Sequence, residues 1–207
     1  TDAIIKLYMI MGGIPFYLDQ LDTSESLDQA IDRLFFRNKA ILNLEFNELF
    51  VSLFGSSNTY EQIVKILSEH TYGLDRNTIS KLSKISSGGT LSNNIDELEA
   101  AGFITPYVPY GKSKRDIIYK LTDPYILFYL KYVQNTQVKT KNIWHYLTNT
   151  PSWHAWSGLA FENLCMLHMQ EIKQQLGISG IFSTESAWRH KGDETMTGSQ
   201  IDLLIDR

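Results

Sequence analysis

The 207-residue sequence contains a single cysteine, Cys165, and therefore cannot form an internal disulfide bond. This excludes a small secreted scaffold held by disulfides and predicts a reducing, cytoplasmic location. No run of about 18 apolar residues occurs, which argues against a membrane-spanning helix. The opening residues TDAIIKLYMIMGG lack the basic leader and cleavage site of a signal peptide. Positive charge is not in excess either, because the net charge is −4, and a chain that coats nucleic acid indiscriminately is not expected.

Several motifs that carry chemistry are also missing. There is no GxxxxGK[ST] loop to hold nucleotide phosphates, no GxSxG and no HExxH. What the chain does have is an apolar fraction of 43% with 12% aromatic residues, which is enough for a sizeable core and excludes intrinsic disorder.

Charge and loop-forming residues divide the chain into three blocks. Residues 1–55 carry 4 basic and 8 acidic side chains, whereas residues 75–120 carry 7 basic and 5 acidic ones. Breaks at 55–58 and 134–142 place the domain boundaries, giving 1–55, 56–133 and 134–207. The predicted fold class is mainly α with α+β parts: a helical bundle, a winged helix-turn-helix and a partial α/β domain.

The sequence of the first block predicts several short helices. Gly12 and Gly13 break the opening helix, and Pro15 fits the first turn of the next one. Ser24 and Ser26 are possible helix caps, and Gly55 is expected to end the last helix of the block.

The second block has the residue order of a winged helix-turn-helix. Three short amphipathic helices, with Asp75 as a cap and with Ile79 and Leu82 turned inward, precede two β-rich segments, 103–109 and 116–121. In such a module the third helix reads the DNA major groove and the hairpin tip contacts phosphates. The exposed polar residues expected at the start of the third helix include Ser92, with Asn94 as a further candidate. The predicted DNA-contacting side chains are Lys81, Lys84, Ser87, Thr90, Asn93, Lys112, Lys114 and Arg115. The alternative is a module for protein contacts in which these lysines are only solvated.

The third block predicts a long helix over 158–176 followed by strands at 181–188 and 200–206. Glu162 lies on the helix and Asp202 on the last strand. A carboxylate pair brought together in this way could hold Mg²⁺ and act on a phosphodiester. On spacing alone, a solvated helix glutamate and an edge-strand aspartate are the simpler explanation of these residues. Because Asp202 alternates with Ile201 and Leu203, it should face away from both.

Four segments together resemble a known family. GGIPFYL, the LTDPYILFYLKYV that follows the winged helix, and FENL with GSQIDLLIDR are similar to the C-terminal half of archaeal-type AAA-related P-loop ATPases. The resemblance covers essentially the whole chain. It implies that 1–55 is the helical lid of an ATPase and that 134–207 begins a PD-(D/E)xK nuclease-like domain. In that domain Glu162 and Asp202 match the helix glutamate and the motif aspartate.

The resemblance also implies partners and cofactors. The ATPase core, with its ATP and Mg²⁺, would precede Thr1, and the opening and closing patterns suggest a fragment. The family's E-x-K strand has no counterpart here, so the fragment itself is expected to be inactive. No cofactor is predicted for it, and oligomer formation is possible. The competing hypothesis is a non-enzymatic winged-helix transcription regulator or protein-interaction platform.

Overall fold

The computed structural model of the protein describes residues 2–55, 58–136, 142–190, 192 and 197–206. Within these ranges the chain is mainly helical, with two small antiparallel sheets of two strands each. The predicted class, mainly α with α+β parts, is confirmed at this level. Parts of the boundary loops predicted at 55–58 and 134–142, namely 56–57 and 137–141, lie outside the described residues, as does most of the connection at 191–196. No helix of the described ranges is long and apolar enough to cross a lipid bilayer.

The first block is a set of short helices around a π-helical turn at Asp32–Phe36. Its helices are α1 (Asp2–Met11), α2 (Pro15–Leu18), α3 (Leu27–Ile31) and α4 (Ile41–Phe54). The predicted break before Pro15, the cap at Ser26 and the end of α4 at Gly55 are all confirmed. Ser24 is not a cap and instead donates to the Asp22 carboxylate at 2.7 Å.

The second block contains three helices followed by a hairpin. The elements are α5 (Asn58–Ser68), α6 (Arg76–Ser83), α7 (Gly89–Ala100), β1 (Ile104–Tyr107) and β2 (Ile118–Leu121). Asp75 caps α6 and Ile79 is buried, as predicted. Leu82 was predicted to point inward, but it is 44% exposed. The inward position is instead that of Ser83, which is buried one helical turn after Ile79. Its carbonyl accepts from the Gln62 amide at 2.8 Å.

The remaining elements are more helical than expected. They are α8 (Pro124–Phe128), a π-helical turn (Tyr129–Val133), α9 (Ile143–Thr148), α10 (Pro151–Leu167), α11 (Met169–Gln175), β3 (Thr184–His190) and β4 (Ser199–Asp206). The single helix predicted over 158–176 is wrong in two respects. The observed helix begins earlier, at Pro151, where Thr150 caps it. It is also interrupted at His168, whose φ of −107° and ψ of 30° are not helical.

An aromatic cluster joins the first block to the segments after β2. The ring of Phe128 lies 4.9 Å from that of Phe35, 5.4 Å from Trp144 and 5.7 Å from Trp156. The buried Asp32 carboxylate accepts the backbone N–H of Trp144 at 2.9 Å, which satisfies one free donor at the start of α9. The core is therefore continuous across both predicted boundaries.

Asp123 caps α8 and makes stability depend on pH. Its carboxylate accepts the N–H of Ile126 at 2.7 Å, and burial raises its pKa to about 6. Because the folded state holds this proton more tightly than the unfolded chain, the contribution of Asp123 to stability is greatest below about pH 4 and is lost as the pH rises through 6. Asp123→Asn keeps the acceptor without the charge. We expect it to exceed the wild type in unfolding free energy at pH 7 by at most about 3 kcal/mol, with no difference at acidic pH.

Asp75→Asn is the matched control, because Asp75 also caps a helix. Hydrogen bonds from Thr78 hold the pKa of Asp75 below its usual range, so that carboxylate stabilises the fold at neutral pH and stops doing so in acid. Urea unfolding at several pH values measures the free energy of unfolding of both variants. At pH 7 we expect Asp123→Asn to be more stable than the wild type and Asp75→Asn to be less stable. If the difference in unfolding free energy between Asp123→Asn and the wild type did not change with pH, the protonation of Asp123 would not be coupled to stability.

Candidate nucleic-acid interface and carboxylate site

Arg76 fixes the start of α7 relative to α6. Its Nη2 lies within hydrogen-bond distance of the carbonyl oxygens of Ser87 and Gly88, at 2.6 and 3.0 Å, and of the Ser92 hydroxyl at 2.7 Å. The turn between the two helices is therefore held by a side chain rather than by glycine-rich backbone alone. This presents the N-terminal end of α7 in one orientation.

The residues predicted to contact DNA on the helix pair are all exposed. They are Lys81, Lys84, Ser87, Thr90 and Asn93. Hydroxyl and amide groups at the start of a helix suit base edges, and the flanking lysines suit phosphates.

Two further polar residues of α7 are not available for base contacts. Asn94 is buried, since it lies on the inner face of the helix with Leu91 and Ile95. Ser92 is half-buried and bonded to Arg76. The expectation that both belong to the exposed face is therefore wrong, because this helix turns them toward the module's own interior.

The tip of the β1–β2 hairpin is an ordered turn rather than an extended loop. Ser113 and Asp116 cap a short 3-10 turn, with the Ser113 hydroxyl donating to the Asp116 carboxylate at 2.8 Å. The side chains of Lys112, Lys114 and Arg115 are exposed around it. The three cations are thus presented together at one end of the hairpin.

The acidic residues of α7 interact with the module itself. The Tyr60 hydroxyl of α5 donates a hydrogen bond to Glu97. Burial raises the pKa of Tyr119 in β2, and the charges of Glu99 and Asp96 raise it further. These carboxylates therefore lie toward the neighbouring helix and strand, at the end of α7 away from its polar N-terminal turn.

Asp202 lies at a bulge in the second hairpin. Ser186 pairs with Leu204 and Trp188 with Ile201, so Asp202 and Leu203 together stand opposite Ala187. The strict alternation predicted for Asp202 does not hold here, and Asp202 and Leu203 line the same cavity of about 300 Å³. Bulges often re-aim a side chain beside a functional site.

Glu162 lies where α10 packs on the strand β2. The Asn163 amide donates to the Leu121 carbonyl at 3.4 Å, and the Lys120 ammonium lies 3.9 Å from the Met166 sulfur, one helical turn beyond Glu162. These two contacts set the register of the helix against the strand. They bring Lys120 to the same region as Glu162.

Glu162, Asp202 and Lys120 influence one another electrostatically. Burial raises the pKa of Glu162 and the charge of Asp202 raises it further, while Lys120 acts in the opposite direction. Burial also lowers the pKa of Lys120, against the effect of both carboxylates. The structure thus brings the two predicted carboxylates within reach of each other's charge and adds a lysine.

Lys120 was missed by sequence reasoning. In the strand IYKL it alternates with Tyr119 and Leu121, which predicts a solvent-facing side chain. It is only 9% exposed because α10 covers that face of the hairpin. A lysine within a short apolar strand is the one signal that the sequence offers.

The donor set fits a hard divalent cation. Mg²⁺ usually takes one or two protein carboxylates and completes its shell with water and phosphate oxygens. Glu162 and Asp202 can supply two such ligands. Within the described ranges, no group of three or more His, Cys, Asp or Glu side chains could enclose a metal by itself.

The function of the interface and of the carboxylate site has to be inferred from these residues. No family model, curated protein or solved structure matches the chain.

Proposed function

We propose that residues 58–121 form a winged helix that binds duplex DNA, within the C-terminal part of an archaeal-type P-loop ATPase. In this proposal α7 enters the major groove, the hairpin tip contacts phosphates, and residues 1–55 serve as the helical lid. The observation that carries it is the joint exposure of all eight predicted contact residues on the helix pair and the hairpin tip.

The strand pairing supports a winged helix over a plain helical bundle. Leu74, between α5 and α6, pairs with Tyr119 through two backbone hydrogen bonds of 3.0 and 2.8 Å. This isolated β-bridge ties the hairpin to the segment between the two helices. A hairpin anchored in this way can hold its tip at a defined distance from α7.

The backbone conformation of Lys84 supports a phosphate contact by its charged side chain. It ends α6 in the left-handed conformation, with φ of 59°, where glycine is the favoured residue. A side chain in that region costs about 1–2 kcal/mol. An exposed lysine held there, between the two helices that would flank a DNA strand, suits a phosphate contact better than a structural cap.

Packing between the family-like segments supports the lid assignment. A methyl group added to Gly12 would lie 3.8 Å from Pro124, and the rings of Tyr17 and Tyr125 are 5.0 Å apart. Thus GGIPFYL and TDPYILFYLKYV form one contact. A lid joined so closely to the winged helix could transmit the state of an ATPase core to a DNA-binding surface.

The carboxylate site belongs to the proposal as a nuclease-like site without a complete set of catalytic groups. A Mg²⁺ ion bound there would supply charge for a phosphate and an activated water. Glu162 and Asp202 would hold it. The function proposed for this site is binding of a cation and phosphate, without cleavage.

The DNA proposal is tested by Lys112→Ala/Lys114→Ala/Arg115→Ala. If each side chain neutralises one phosphate, the slope of log affinity against log salt becomes shallower by about 2–3. Affinity at about 0.1 M salt should fall by roughly two orders of magnitude, equally for all duplex sequences. Fluorescence anisotropy with two unrelated duplexes over about 50–200 mM salt measures both quantities.

The matched control is Lys6→Ala/Arg37→Ala/Lys131→Ala, which removes the same charges from exposed positions elsewhere. It should change the salt slope little. Equal losses of duplex affinity in both triple variants would mean that the effect comes from net charge alone and not from the hairpin tip. A wild type that binds no duplex would favour the protein-interaction platform instead.

A further inference from the structure

We propose that the groove between the two hairpins, β1–β2 and β3–β4, binds an unstacked base of single-stranded DNA. The groove holds a cavity of about 780 Å³, within the range of about 300–1,000 Å³ that is typical of ligand sites. Tyr72, Tyr107 and Tyr110 line it on one side, and Arg189 of β3 lines it on the other. The inference adds a second mode of binding to the proposed duplex contacts, and it rests on them only for the choice of DNA as the partner.

The first support is that two tyrosine rings are open at one cavity. Tyr72 is 40% exposed and Tyr110 is 47% exposed. The backbone N–H of Tyr110 donates to the Ala187 carbonyl at 2.9 Å, which joins the two hairpins and fixes where Tyr110 begins. Every base has a π face, and proteins that bind single strands stack the bases on exposed aromatic side chains. The two tyrosines therefore provide a stacking surface.

The second support is that hydrogen bonds already hold two of the rings in place. The Tyr107 hydroxyl donates to the Tyr72 carbonyl at 2.7 Å, and the Tyr72 hydroxyl donates to Gln200 at 2.9 Å. The Gln200 amide in turn donates to the Asp202 carboxylate at 3.0 Å. Because their polar ends are bonded within the protein, these rings lose little freedom when a base stacks on them. This lowers the cost of binding.

The third support is the position of Arg189. Its guanidinium carbon lies 3.9 Å from the centre of the Tyr72 ring, and the residue is exposed. Among the residues that the structure describes, no carboxylate forms an ion pair with it. A guanidinium is planar and stacks on aromatic rings and on bases. Arg189 therefore extends the stacking surface from Tyr72 across the groove.

The charges of the groove favour a base over a phosphate as its occupant. Lys112 and Arg189 line the cavity together with Glu69 and Asp202, so the formal charges of its lysine, arginine and carboxylate side chains cancel. A neutral ring suits such a cavity better than an anion does. Lys112 also belongs to the cationic hairpin tip, where the phosphates next to the bound base would meet positive charge.

The test is fluorescence anisotropy with a labelled oligothymidine of about 15 nucleotides, a length that covers one binding site. We expect the wild type to bind this strand. Tyr110→Leu keeps an apolar side chain without an aromatic face, so it should weaken strand binding by about 5- to 150-fold, the effect of losing one stacked base. Tyr110→Phe should retain the affinity. The matched control is Tyr146→Leu on α9, which changes a tyrosine that is 73% exposed and should leave strand binding unchanged.

An abasic strand of the same length separates stacking from attraction to phosphates. The wild type should bind it at least about fivefold more weakly than oligothymidine, and Tyr110→Leu should cause no further loss with this strand. Arg189→Lys keeps the charge but not the plane and should weaken oligothymidine binding, whereas Arg37→Lys, at an exposed position elsewhere, should not. Equal affinity of the wild type for both strands, or unchanged oligothymidine affinity in both Tyr110→Leu and Arg189→Lys, would overturn the proposal.

A blunt duplex distinguishes this inference from the duplex proposal. Tyr110→Leu removes no charge and should change duplex affinity little. A wild type that binds oligothymidine but no duplex would remove the winged-helix proposal and support the groove. A wild type that binds the duplex but no oligothymidine would overturn the groove alone.

Discussion

Phe128→Ala is expected to lower the free energy of unfolding by about 3–5 kcal/mol, a large fraction of the stability of a domain of this size. Phe128 is fully buried, and its ring contacts rings from three separate parts of the chain, including Phe35, Trp144 and Trp156. Neighbours from distant elements cannot all move into the space left by the ring. Both the lost burial and the residual cavity therefore contribute to the cost.

Phe182→Ala is the control for this substitution. The same number of atoms is removed, but Phe182 is 88% exposed, so the change should stay within about 0.5 kcal/mol. Urea unfolding followed by tryptophan fluorescence measures both variants, since Trp144 and Trp156 report on the cluster. Comparable losses from the two variants would mean that the first block and the segments after β2 do not share a core.

Local signals in the sequence were sufficient for several of the helix ends. Ser26 and Asp75 cap helices because their side chains accept neighbouring N–H groups, and Gly55 ends α4 because it adopts a positive φ. The order of three helices and a hairpin follows in the same way from periodicity and turn residues. These features depend on contacts within a few residues, which a sequence displays directly.

Features decided by distant contacts were not predictable. The burial of Lys120 depends on α10 lying across β2, and the bulge at Asp202 depends on how β4 pairs with β3. Similarly, a polar residue such as Asn94 is expected at the surface, but it is buried because it lies on the inner face of α7. The candidate carboxylates could be named from the sequence, but Lys120, the buried lysine on which both act electrostatically, could not, because no local pattern specifies what covers a strand.

Gly73 directly precedes Leu74, which pairs with Tyr119 of the hairpin. Gly73 has a φ of +76°, and a methyl group added there would lie 2.5 Å from the Tyr119 carbonyl oxygen. Gly73→Ala therefore has two costs, an unfavourable backbone conformation and a clash with backbone that cannot rotate away. Relief of the clash would separate Leu74 from Tyr119 and remove their two hydrogen bonds. We expect a loss of about 3–5 kcal/mol in unfolding free energy from these terms together.

Gly55→Ala separates the two costs. Gly55 has a similar φ of +70°, but a methyl group there would meet nothing within 4 Å, so only the conformational cost of about 1–2 kcal/mol should appear. Because Tyr119 adjoins Lys120 and the hairpin depends on this pairing, Gly73→Ala should also weaken duplex binding, measured by anisotropy at a temperature where the variant is folded. Gly55→Ala should leave duplex binding unchanged. Equal losses of stability in the two variants, with duplex binding intact in both, would show that the Leu74–Tyr119 pairing does not hold the hairpin in place.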